Sequence, residues 1–336
     1  MKSIAIGGLT AVALTAVVAA WQPQTPARTS HNVTQADMDR WKKELSNWGR
    51  WGKEDEKGTL NLITPAKRKQ AAALVKEGFA VSLARDAATE KDSDNPQPYE
   101  DVMLSDGSGR PAATDRISVA FHGLAHTHLD ALAHHFIGGK MYNGFPQKDY
   151  VSMKDGAAKA SIHQVKDGIF TRGILMDIPR LKGVPYLEPG TPIYVEDLEA
   201  WEKQAGIKVS AGDALFIRTG RWVRRAKLGP STNGEAGLDA SVIPWLRQRD
   251  VAIIGSEAAL SVQPTPASSQ ITDPDDYLPL HNFVLVIYGM NVIDDCDLTA
   301  LSEAAASRKR WEFLVTAAPL PLRHGTGSPI NPTGLF

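Results

Sequence analysis

Phe121-His122-Gly123-Leu124-Ala125-His126-Thr127-His128-Leu129-Asp130-Ala131-Leu132-Ala133-His134-His135 holds five of the nine histidines of this 336-residue chain. In an extended segment alternate side chains share a face. His126, His128 and Asp130 are therefore expected to project together, and His122 has the same parity. His135 has the opposite parity. Neutral imidazoles converging with a carboxylate form a ligand set for a first-row divalent ion, zinc or manganese. A lone buried histidine is commonly structural, and a histidine-rich tract can be a loose surface binder. Apolar residues on both sides (Ile117, Val119 and Phe121 before; Leu129, Ala131, Leu132 and Phe136 within and after) predict a buried, ordered segment instead.

The rest of the composition narrows the function. The net charge is −1, from 37 basic and 38 acidic residues, with no basic block. Nucleic acid is not an expected partner, and electrostatic attachment to a membrane is not either. Lys2 followed by an apolar run over 4–20 that ends in Val18-Ala19-Ala20 reads as a secretory signal peptide. Export to the periplasm or the medium is the expectation, with no stable membrane association after cleavage. Residues 21–36 read as a flexible lead-in, and 37–336 as a single domain. Cys296 is the only cysteine, so no intrachain disulfide can form. It reads as a buried structural thiol.

Periodicity predicts alternating elements. Helices are expected over 37–45, 65–76, 195–204 and 241–249, the second capped by Thr64 with Pro65 at its first position. Strands are expected over 81–84, 172–178, 214–218 and 251–255. Alternation of this kind predicts an α/β fold, and strands apolar on both faces belong at its centre. Residues 92–115 read as a long loop, a rim or lid over a site. His281 opens an apolar segment that runs to Asp294 and Asp295. Periodicity leaves that segment open between helix and strand. His281 can complete a coordination sphere from across the fold.

Four segments carry a resemblance: 51–65, the 126–134 run, 281–295, and Gly325-Thr326-Gly327-Ser328-Pro329-Ile330-Asn331-Pro332. Together they resemble the cyclase-like, metal-dependent hydrolases that include bacterial kynurenine formamidase and isatin hydrolase. The resemblance implies a swivelling β/β/α domain with a central mixed sheet, and assembly as a homodimer or homotetramer. It matches His128, Asp130, His134 and His281 to family positions, and the family's late acidic residue to Asp294 or Asp295. Leu124 stands where the family has an upstream histidine, and Leu132 where it has a proline. His126 and His122 are the nearest substitutes for that histidine, so one or two ions can be accommodated.

The metal ligands expected are His126, His128, Asp130 and Asp294. His134 and His281 are expected to be catalytic. Trp51, Phe121 and His122 are expected to line the substrate pocket. The activity implied is hydrolysis of an amide, lactam or ester bond in a small cyclic or aryl substrate by metal-activated water. The alternatives are a cyclase or lyase acting on a polyketide-like substrate, and a non-catalytic periplasmic metal-binding protein. No G-x-S-x-G elbow is present, and Ser328 reads as a backbone-capping hydroxyl.

Overall fold

A computed structural model describes residues 31–231 and 233–336. The segments expected to be a signal peptide and most of the lead-in lie outside the described residues. His31 stacks on Tyr194 with ring centroids 3.7 Å apart. Val33 is buried, and the segment joins the body through the Gln35 amide donating to the Gln270 carbonyl and the Gln270 amide donating to the Val33 carbonyl. Thr34 then closes a capping box with Asp37, and the first helix runs over Gln35–Glu44.

The core is a nine-stranded mixed sheet. Its centre is four parallel strands, in spatial order Ile169–Asp177, Ala214–Arg218, Ile253–Ser256 and Asn291–Asp294. Phe216, Ile254 and Ile293 are among the fully buried residues on these strands, which explains their apolar runs. Antiparallel strands extend both sides. Glu312–Ala317, Thr333–Leu335 and Ala80–Ser82 continue one side, and His128–Asp130 and Gly327–Pro329 the other. The α/β fold with a central mixed sheet is as expected from the sequence.

The helices keep the predicted places, although the second ends at Ala72, four residues short of the expected end. Pro65–Ala72 starts with the Thr64 side chain accepting from the Lys67 amide. Val195–Ala205 ends on Gly206 in the left-handed conformation. Ile243–Arg249 follows a short 3₁₀ turn, Ala240–Val242.

Three local expectations change. The segment 92–115 is not an unstructured loop, because Glu100–Asp106 and Ala113–Ser118 pair as an antiparallel hairpin. All of Ala113–Ser118 is exposed, Ile117 included, so the flank before the histidine run is not buried. The run itself is extended only at His128–Asp130 and bends over 122–126. The 281–295 segment is both helix and strand. Pro279–Phe283 is helical, Val284–Tyr288 is a π turn, and Gly289 in the left-handed conformation reverses the chain into Asn291–Asp294. Only glycine fits there, since an added Cβ would strike the buried Tyr142 ring.

Candidate metal centre

Strand register builds the centre. His128 and Asp130 are two residues apart on one strand and share a face. Asp294 lies opposite His128 on the antiparallel neighbour and joins the same face. Leu129 and Ile293, paired between them, point to the other face and are buried in the core. The apolar half of the strand thus fixes where the polar half points. Asn291 donates from Nδ2 to the Asp130 carbonyl at 2.7 Å and locks the two strands together.

Four imidazoles surround the Asp130 carboxylate. His122 Nδ1 lies 3.0 Å from Oδ1, His128 Nε2 3.4 Å and His134 Nε2 3.9 Å. His281 Nε2 lies 3.3 Å from Oδ2 and 3.0 Å from Asp294 Oδ2. His281 reaches in from the helix Pro279–Phe283, whose Leu280 and His281 amides both donate to Ser261 Oγ at 3.2 Å. Asp130 is fully buried, yet neither of its oxygens makes a hydrogen bond of sound geometry, and Asp294 Oδ1 is also without one. Buried polar atoms are normally satisfied. An orphaned carboxylate ringed by ring nitrogens fits a divalent cation, whose charge such a site would neutralise.

Two ligand groups share Asp130. One is His122, Asp130 and His134; the other is His128, Asp130 and Asp294, each with ligand atoms within 4.8 Å of one another. His128 is further oriented by its Nδ1, 2.8 Å from the His126 carbonyl, which leaves Nε2 facing Asp130.

His126 is not brought into either group. It lies in the 122–126 bend, where strand alternation fails. Its Nε2 is 3.5 Å from the Gln97 carbonyl, and its ring lies edge-on to Tyr99. The face-sharing expected of His126 is therefore not met, and His122 faces Asp130 instead. Asp295 follows Asp294 with φ of 54° and turns away to Arg221 Nη1 at 2.7 Å. Phe121 reaches the centre, its ring 4.5 Å from His122 and 5.8 Å from His128. Trp51 carries Arg50 over its ring, in a pair with Asp250, and has no ring contact with the histidines among the described residues. His135 packs edge-on to His281 at 4.9 Å and lies 6.0 Å from Tyr277. Parity did not reveal this role for His135, because the chain turns after Asp130.

Electrostatics divide the histidines. Burial disfavours charge on His128, His134, His135 and His281. For His128 the Asp130 carboxylate overrides burial and lifts the pKa to about 9; for His281, Asp294 and Asp130 lift it to about 10. Burial wins at His134 and His135, which fall to about 3 and about 4. Asp130 is held well below the usual carboxylate range: burial opposes this, and the charges of His134 and His128 outweigh it. Burial raises Asp295 to about 7 against the pull of Arg221.

The Gly-rich C-terminal segment closes one side. Gly327 lies opposite Asp130, where an added Cβ would come within 2.9 Å of His122 Cε1 and Phe121 Cε2. Ser328 is fully buried, donates to the Pro329 carbonyl and accepts from the Leu320 amide, a backbone-capping role. Cys296 is buried and its thiol is pushed well up by burial.

The family model named Cyclase matches residues 12–261. The chain belongs to the Cyclase family. A crystal structure of a novel cyclase is 31% identical, with a TM-score of 0.77, over 87% of this chain and 100% of that one. Isatin hydrolase A from Ralstonia solanacearum is 19% identical, with a TM-score of 0.51, over 76% of this chain and 91% of that one. An isatin hydrolase bound to the product analogue thioisatinate is also 19% identical, at 0.51, over 82% and 98%. At that identity the hydrolases share the fold. No curated protein matches the chain.

Proposed function

We propose that the chain is a metal-dependent hydrolase that cleaves an amide, lactam or ester bond of a small cyclic or aryl molecule. The observation that carries this reading is Asp130, buried without a hydrogen bond among four imidazoles. His128, Asp130 and Asp294 would hold zinc or manganese, and His122 with His134 offers a second position on the same carboxylate. A divalent ion there supplies an acidified water and polarises the carbonyl under attack.

The chain's own groups do the rest. His134 stands 3.9 Å from Asp130 and remains partly exposed at 24%. With a single ion on His128, Asp130 and Asp294, its free imidazole would accept the proton of the attacking water and return it to the leaving nitrogen or oxygen. His281 orients Asp294 and Asp130 through Nε2. Phe121, beside His122, and Tyr277, beside His135, are aromatic side chains against which a substrate ring could pack.

The test is turnover in ¹⁸O-labelled water, beginning with N-formyl arylamines and cyclic imides. One label in the product acid supports hydrolysis. Turnover without label supports the cyclase or lyase reading, which the family name favours. Metal binding without turnover of any such substrate supports the non-catalytic alternative. Export by the 1–20 segment and assembly as a homodimer or homotetramer belong to the same proposal. N-terminal sequencing of secreted protein and light scattering test them.

A further inference from the structure

The bend over 122–126 is held by little. Among the described residues, no amide or carbonyl of residues 119–126 pairs with another backbone group. Gly123 has open space around it. Yet this bend must deliver His122 to Asp130, two residues before Leu124, which stands where an upstream histidine is expected.

Arg221 grips the middle of the bend. It opens the helix Arg221–Leu228 and is itself buried. Its Nη2 donates to the Leu124 carbonyl at 2.7 Å. Nη1 donates to Asp295 Oδ1 at 2.7 Å and to the Glu257 carbonyl at 2.9 Å. Nε pairs with Glu235 at 3.0 Å. The helix start is fixed in turn, because Glu257 Oε2 accepts from the Thr219, Gly220 and Arg221 amides. One planar guanidinium thus ties the bend to the residue after Asp294 and to a rigid helix end.

We propose that Arg221 is a positioning residue that sets His122 in the metal centre, so that His122 serves where Leu124 has replaced a histidine. The inference rests on the metal-centre reading. It differs from a plain buried ion pair in one respect: the loss of Arg221 acts through His122. Both ends of His122 report its placement, with Nδ1 3.0 Å from Asp130 Oδ1 and Nε2 3.1 Å from Thr326 Oγ1.

A double-mutant cycle on Mn²⁺ affinity tests it, read by electron paramagnetic resonance of free Mn²⁺ in the full chain. Arg221→Gln should weaken binding on the order of tenfold, the usual scale for a group that orients a ligand. His122→Ala should weaken it by a similar factor, and the double variant by no more than either single one. Arg221→Lys, which keeps the charge, should recover part of the loss. Melting curves establish that each variant is folded. Wild-type affinity in Arg221→Gln, or losses that multiply in the double variant, would overturn the proposal. A second measurement is independent of metal. In the metal-free chain, histidine ¹⁵N spectra of Arg221→Lys should shift His122 and leave His281 in place. If the wild type binds neither Mn²⁺ nor Zn²⁺, the metal-centre reading fails, and these spectra still decide whether Arg221 places His122. An unshifted His122 would overturn it.

Discussion

Asp294 sits directly across the strand pair from His128, and both project on the face opposite to Leu129 and Ile293. The pairing explains why a carboxylate more than 160 residues away in sequence meets the histidine run. It also explains why Leu129 and Ile293, alternate residues of the same two strands, matter to the site. A register slip of one residue would send every ligand to the wrong face. Leu129→Ala should cost about 2–5 kcal/mol, the range for truncating a buried leucine, and urea unfolding measures it. Met103→Ser, on the exposed hairpin, should stay within about 0.5 kcal/mol of wild type.

Gly327 marks the narrowest approach to the centre. A methyl group there meets His122, Phe121 and the Leu129 carbonyl within 2.9 Å. Gly327→Ala should therefore weaken metal binding and also lower the melting temperature, because Phe121 and His122 are partly exposed and can swing outward but the Leu129 carbonyl cannot. Chelator competition and thermal melts on the same preparation measure the two effects. Unchanged affinity would contradict the arrangement.

Metal binding should release protons. His128, one of the ligands, carries a pKa of about 9 without metal, so it is charged at pH 7. A ligating imidazole must be neutral. Affinity should rise as pH rises from 7 towards 9, with net proton release when titrated by calorimetry in buffers of different ionisation enthalpy. Heats independent of the buffer would contradict this.

The same shifts set the stability of the metal-free chain. The folded pKa of His281 and His128 lies above the unfolded value near 6.5, so their stabilisation is complete below pH 6.5. It is lost as pH rises towards 9–10. His134 and His135 act oppositely: their folded values, about 3 and about 4, cost stability as pH falls below 6.5. Asp130, depressed when folded, adds to the acid-side loss. The melting temperature of the metal-free chain should therefore peak near pH 6.5 and fall on both sides. A flat alkaline limb would contradict the assignment of His128 and His281.

Much of this was legible in the sequence, for physical reasons that can be named. Ala214–Arg218 is apolar at nearly every position because it is covered on both faces, and its bounds are those read from the pattern. Thr64 and Pro65 announced a helix start by their chemistry. His128 and Asp130 were singled out because few structural needs put imidazoles and a carboxylate at such spacing, and His281 because the family resemblance matched it. His126 was misplaced because alternation holds only in a strand, and the chain bends before Thr127. The hairpin at 100–118 was missed because its polar, turn-rich sequence lacks a buried face. The π turn over Val284–Tyr288 has no sequence signature, so the helix-to-strand switch after His281 could not be read. Arg221 gave no signal, since its partners lie on four distant segments.

The most direct test is metal content of the purified chain by mass spectrometry, wild type beside His128→Ala. One or two equivalents of zinc or manganese in the wild type, lost in the variant, is the predicted result. Negligible metal in both, after reconstitution with zinc and with manganese, would contradict the metal centre and the hydrolase built on it.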